Sequence, residues 1–354
     1  MLNKLVKTKK AFIVLILLAS PYAFSSTAGV IVMMSGASEL FTKPRSKASG
    51  SGKQVKFENT YYTVKRAKLG SKVKWKDVVK TGPKAKMRIS FKNGDSFTVG
   101  PGTAYSLIGH KKSNKKNIAK KGDTLNLIYG KVRAVISKKG PRNNLRVKTK
   151  SSVAGVRGTD FFIKYDTVAA KTKLSVMRGQ VSIKPTPKKS ADHKNPVKEV
   201  KAVMIKTGES AEVKAPPVVA KTDKKNNVAV VEEPVKVEVS TTSKEDFVEI
   251  QTETTVKVDK KMMAEATPEV VKQIEEMEKK TAEVILDDIK VENKELYKKV
   301  MKMKTKDVAT LNSVVVGKLY KEAPKAVKKS KITEDDLMDS MDDDVYKKYF
   351  KKVK

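Results

Sequence analysis

The residues of this chain best suited to chemistry stand close together in SSVAGVRGTDFFIKYD, residues 151–166. Arg157 and Asp160 flank Gly158, and Gly155 lies three residues before it. A guanidinium and a carboxylate on either side of a glycine can hydrogen-bond one another or nearby backbone across a turn, or present a charged pair to a ligand or partner. Two glycines so spaced allow a sharp turn or a close approach to a neighbouring strand. Glycine-rich strand corners are usually architectural, so the segment reads first as a corner pinning two strands, with ligand contact as the rival reading. The motif or contact candidates are Gly155, Val156, Arg157, Gly158, Thr159, Asp160 and Phe161.

Little else could react. The chain has no cysteine, which removes disulfides, zinc thiolates and cysteine nucleophiles. Its two histidines, His110 and His193, lie in basic loops without a second ligand at metal spacing. Gly50-Ser51-Gly52-Lys53-Gln54 lacks the first glycine and the final hydroxyl of a phosphate loop. The acidic run Asp335, Asp336, Asp339, Asp342, Asp343, Asp344 lacks the glycine and closing glutamate of a calcium loop, and reads as a helix-start bias or docking surface. No catalytic residue, metal ligand or cofactor is therefore assigned.

Formal net charge is +37, from 76 Lys+Arg against 39 Asp+Glu, and lysine far outnumbers arginine. Diffuse positive charge favours loose contact with anions such as lipopolysaccharide or wall polymers. With aromatics at 6%, the interleaved rings of a nucleic-acid platform are missing, which argues against nucleic acid.

These residues need elements to hold them. Lys4, Lys7, Lys9 and Lys10 precede the apolar run Ala11–Ala19, then Pro21 and small residues, in the order of a secretory signal. Residues 1–28 thus read as a signal peptide, cleaved after Ser25 or Ala28, or retained as the chain's only membrane anchor. From residue 29 to 214 short alternating strands and turns predict an all-β domain, a sandwich, roll or solenoid-like stack. Met87–Phe91 and Phe97–Val99 around Asn93-Gly94-Asp95 predict a hairpin, and Thr42–Lys53 a loop. Val73, Trp75 and Asp77 share an inward face by period 2. LNLIYGKVRAVI and KLSVMRGQVSIK repeat one unit, strand, glycine bend and strand, with VIVMMSGASELF as a weaker echo. Residues 215–261, rich in Pro, Val, Lys and Glu, read as an extended or disordered linker. Residues 262–354 read as a helical segment. Thr267 and Pro268 open its first helix, with Val270, Ile274, Met277, Val284, Ile285 and Ile289 at helical spacing, and further helices span Val308–Leu319 and Thr333–Phe350.

VKTKSSVAGVRGTDFFIKYD, with upstream ISFKNGDSFTVGPGTAYSL and LNLIYGKVRAVI and downstream KLSVMRGQVSIK and KTGESAEV, resembles a FecR-type domain over most of Tyr61–Val213. The resemblance implies an exported, non-enzymatic bacterial β domain in the periplasm or cell envelope. Its implied partner is an envelope protein, or a cell-wall or lipopolysaccharide-type polymer, bound by the β domain. The alternative is a membrane-anchored sensor of the FecR type, or a basic polyanion-binding envelope protein. Sigma-restraining members carry a cytoplasmic segment before their membrane helix. Here only about ten residues precede the apolar run, too few for a folded unit.

Overall fold

A computed structural model describes residues 27–48, 52–109, 123–138, 140, 144–186, 201–214, 235–257 and 260–324. Residues 1–26 of the signal-like segment, His110, His193, the acidic run 335–344 and the expected helix 333–350 lie outside the described residues, whereas Thr27 and Ala28 belong to the first strand.

The strands form two layers, an outer and an inner sheet, and the chain passes repeatedly between them. β1 (Thr27–Ser35) is inner and β2 (Ser38–Arg45) is outer, extended by β3 (Gln54–Phe57) and β4 (Thr60–Arg66). β5 (Lys72–Lys74) returns to the inner sheet and β6 (Val78–Thr81) to the outer. β7 (Lys86–Ser90) and β8 (Ser96–Val99) form an inner hairpin, and β9 (Ala104–Ile108) is outer. β10 (Thr124–Val135) starts in the outer sheet, beside β9, and ends in the inner, beside β8. Then β11 (Leu145–Lys148) and β12 (Ser152–Val156) are outer, and β13 (Asp160–Asp166) and β14 (Lys171–Arg178) inner. β15 (Gln180–Pro185) and β16 (Val203–Lys206) are outer, and β17 (Glu209–Lys214) and β18 (Val237–Thr241) inner. Apart from the parallel β10–β11 pair, the described ladders are antiparallel.

The repeated sequence unit is the crossing itself. Gly36, Gly102, Gly130, Gly158, Gly179 and Gly208 all have positive φ and stand where the chain leaves one sheet for the other. At Gly130, in the middle of β10, φ is +89° and an added Cβ would fall 2.5 Å from the Thr103 Cα, so the corner admits no side chain. The expected Asn93-Gly94-Asp95 hairpin is present between β7 and β8, with Ser90 opposite Ser96.

Between the sheets lies the main core, including Ile31, Met87, Phe97, Leu125, Phe161, Ile163, Val176 and Ile183. Burying each such side chain contributes about 1.5–3 kcal/mol. Val73 and Asp77 are buried, and Trp75 packs half-buried against this core.

The central strands of the inner sheet, β1, β7, β8, the second half of β10, β13 and β14, are largely buried on both faces, which explains their apolar runs. In Phe161-Phe162-Ile163 the outer pair enters the main core, whereas Phe162 joins Val135 and Met177 beneath a layer of helices. Likewise Ile31 is in the core, and Val30 and Val32 pack against Ile274 and Met277. Those helices are α1 (Lys244–Thr254), α2 (Lys260–Ala264), α3 (Pro268–Glu292), α4 (Lys294–Met301) and α5 (Val308–Glu322). Ser243 caps α1 by accepting from the Asp246 amide, while Asp246 accepts from the Ser243 amide. Thr267 precedes Pro268 at the start of α3 as the sequence predicts.

Two stretches differ from expectation. β2 runs into the segment read as loop, because its ladder with β4 shifts between Thr42 and Arg45 and so accommodates Pro44. Residues 235–257, inside the expected linker, hold β18 and α1. The strand finds its partner in β17, placing Val237 opposite Val213 and Val239 opposite Ala211. Sequence proximity could not reveal that pairing, since the two strands are separated by more than twenty residues.

Candidate functional site

The Ser151–Asp166 segment is a layer crossing. β12 ends at Val156 in the outer sheet and β13 begins at Asp160 in the inner, with Arg157-Gly158-Thr159 as the corner. Gly158 has φ +60°, and a Cβ there would lie 2.2 Å from Lys138 Cγ and 2.7 Å from Lys138 Cα. Thr159 is buried and its carbonyl accepts from the Ile136 amide at 2.8 Å. Val156 and Phe161 belong to the main core.

Arg157 and Asp160 do not pair with each other, because the corner sends them to different layers. Asp160 is fully buried and takes a bidentate interaction from Arg133 of β10, Nε to Oδ1 at 2.9 Å and Nη2 to Oδ2 at 2.7 Å. Arg157 is exposed and borders a shallow cleft of about 540 Å³ on the outer sheet, with Asn144, Gly155, Gln180, Ser182 and Met204. Gly155 leaves room there for Ser182, whose Oγ would stand 2.8 Å from an added Cβ. Of the seven candidates, Gly155, Val156 and Arg157 border this cleft, and Gly158, Thr159, Asp160 and Phe161 build the corner and its interior.

A second arrangement went unread in the sequence. Strand register places Arg88 opposite Thr98, Thr98 opposite Arg133, Arg133 opposite Phe162 and Phe162 opposite Ser175, a row across the helix-covered face of the inner sheet. Arg88, Arg133 and Arg178 are only 1%, 4% and 3% exposed. Alternation marks these positions as polar, which normally means solvent. The available signal was their being arginine in a lysine-dominated chain, since the planar guanidinium suits buried pairing better than an ammonium.

Carboxylates from the helices answer this face. Arg88 Nη1 lies 2.7 Å from Glu278 Oε2, and Arg178 Nη2 lies 2.6 Å from Asp288 Oδ2, both acids on α3. Lys138 meets Glu292 at 2.7 Å, and Lys131, Lys164 and Lys173 meet Glu253, Glu249 and Asp246 of α1 at 2.9, 2.6 and 2.5 Å. In all six pairs the β domain supplies the cation and the helix the acid. Burial pushes the Glu278 carboxyl up, Arg88 opposing and Asp307 reinforcing. Burial likewise raises Asp288, opposed by Arg178 and Lys138 and reinforced by Glu292 and Asp287. The Arg178–Asp288 contact is close but poorly aligned, for the atoms that meet, Nη2 and Oδ2, make no well-directed hydrogen bond among the described residues. For Glu278 and Asp288 burial thus outweighs the pull of the arginines that face them.

Among the described residues no cluster of His, Asp or Glu could hold a metal ion, and no helix is long and apolar enough to cross a membrane.

A family model described as FecR protein matches residues 77–182, from the turn before β6 into β15. Two crystal structures of a candidate anti-sigma factor from Parabacteroides distasonis are similar in part. One, at 1.65 Å, has 11% identity and a TM-score of 0.30 over 46% of this chain and 59% of that one. The other, at 2.50 Å, has 12% identity and a TM-score of 0.33 over 49% and 64%. The chain thus spans about three fifths of the length of those structures. No curated protein matches.

Proposed function

We propose that this chain, which carries a FecR domain at residues 77–182, is a regulatory, non-enzymatic protein of the bacterial cell envelope, a FecR-type sensor that engages a protein partner. The family match carries this reading, and the signal-like order of residues 1–28 supports export. The N-terminal apolar run serves as its membrane attachment. The outer-sheet cleft at Arg157 and Met204 supplies the contact surface: it is open, it lies on the signature corner, and Met204 is 47% exposed beside the exposed Arg157.

The reading is tested by placing a photo-crosslinking residue at Arg157 or Met204 in the full-length chain and isolating the envelope. The expected result is one discrete crosslinked protein at both positions, with the chain in the membrane fraction. A chain recovered with its N-terminus at Ser26 or Gly29 and free of the membrane would remove the anchor. Crosslinks to polysaccharide alone would favour the polyanion-binding alternative, for which the net charge of +37 speaks.

A further inference from the structure

The helix-facing side of the inner sheet is cationic and apolar at once, and the segment that covers it lies outside the FecR match. Helix α3 meets it with a single face. Ile274, Met277, Thr281, Ile285 and Ile289 are buried at three- and four-residue steps, and Glu278, Asp288 and Glu292 are interleaved with them. Opposite the acids stand Arg88, Arg178 and Lys138, all from strands or corners of the β domain. The uniform sense of the ion pairs makes α3 the electrostatic complement of this sheet, as a bound ligand would be.

We propose that this face is a docking surface for an acidic amphipathic helix and that α3 is its resident, exchangeable occupant. The partner is defined by the face it must replace: apolar residues at helical spacing with carboxylates at the positions of Glu278, Asp288 and Glu292. The proposal rests on the reading that the FecR domain docks a protein, and it assigns that docking a second surface and a built-in competitor. Two features favour exchange. Arg88 Nη1 donates to Glu278 Oε2 at 2.7 Å, but Arg88 Nε, Glu278 Oε1 and the Arg178 nitrogens lack well-directed hydrogen bonds among the described residues, so the buried charges are only partly satisfied. Burial also raises the Glu278 and Asp288 carboxyls, against the arginines that face them. A permanent layer would need no buried charge here, since pairs replaced on both sides by apolar residues are often as stable or more so.

The absence of cysteine permits a clean test. Thr281 Oγ1 of α3 lies 3.5 Å from Ser90 Oγ of β7, so Ser90→Cys with Thr281→Cys can lock the helix in place by a disulfide. The probe is a labelled peptide of residues 268–292, titrated into the full chain up to the millimolar range, because the tethered helix competes at about millimolar effective concentration. Saturable binding is expected for the parent and for the reduced variant, weakened at least about tenfold on oxidation and restored by reductant. A peptide with Glu278, Asp288 and Glu292 changed to Lys should not bind. Equal binding by oxidised and reduced protein, equal binding of the charge-reversed peptide, or no binding by the parent would each overturn the proposal. So would elution of the parent as a dimer that ignores the peptide, since α3 would then exchange between copies. The parent titration needs no substitution, so misfolding of the double variant cannot hide the answer. A negative result leaves crosslinking at Arg157 and Met204 on the opposite sheet unaffected.

Discussion

Asp160→Asn isolates what the signature aspartate does. The substitution keeps the shape and one acceptor but removes the charge that meets Arg133 at 2.7 and 2.9 Å, in a site where the two side chains are 1% and 4% exposed. Arg133 is then left cationic between the sheet and the helices. Removing one partner of a buried pair costs about 3–5 kcal/mol, and the retained amide oxygen argues for the lower end, about 3 kcal/mol. For a folded unit of this size about 1 kcal/mol moves the melting temperature by 2–4 °C, so a fall of about 6–12 °C is expected. Thermal melts followed by circular dichroism, with urea titrations at fixed temperature, measure it. Replacing both residues, Arg133→Met with Asp160→Leu, should recover most of the loss, because a well-packed apolar pair of similar volume is often neutral or better. An Asp160→Asn protein melting within about 2 °C of the parent would refute the reasoning. A double variant no more stable than the single would do so as well.

Arg157→Ala should leave stability within about 0.5 kcal/mol, since the side chain is exposed, and reduce only partner capture; a melting shift like that of Asp160→Asn would give Arg157 a structural role. Gly158→Val should abolish folding, because its Cβ would lie 2.2 Å from Lys138 Cγ at φ +60°; a soluble variant with unchanged melting that lost only binding would make the corner a contact site. Ser243→Ala removes the α1 cap and should cost about 1 kcal/mol, read as faster amide exchange in α1; unchanged exchange there would show that packing alone holds that helix. Glu278 and Asp288 have carboxyls raised by burial from ordinary values of 4.5 and 3.8. The folded chain thus binds their protons more tightly than the unfolded chain does. Their contribution to stability is fully present below those values and lost as pH rises through the raised ones. Glu278→Gln with Asp288→Asn should therefore flatten the stability profile upward from about pH 4, and an equally steep profile would place the titration elsewhere.

Much of the β architecture was legible because its signals are local. The Asn93-Gly94-Asp95 turn, the alternation in Met87–Phe91 and the glycine bends each state their geometry within a few residues. The start of α3 at Thr267-Pro268 was legible for the same reason. What escaped was everything decided by a third layer. Arg88, Arg133 and Arg178 occupy positions that alternate as polar, and only the helices laid over them turn those positions into interior. Pairing Arg157 with Asp160 was the shortest-range guess available. It failed because Gly158 turns the chain out of one sheet and into the other, so that neighbours in sequence become residents of different surfaces. β18 was missed because an edge strand shows only half of its ladder, and the other half lies upstream in β17.

The path of β10 carries a mechanical implication. Its first half is hydrogen-bonded to β9 and β11 in one sheet, and its second half to β8 and β13 in the other. A single unbroken backbone therefore splices the layers, and they cannot slide past one another without peeling a ladder at Gly130. A pull applied to either face is delivered to both. For a protein proposed to stand between a membrane and a partner, load at one surface is shared at once by the whole two-layer body, rather than being absorbed where it arrives.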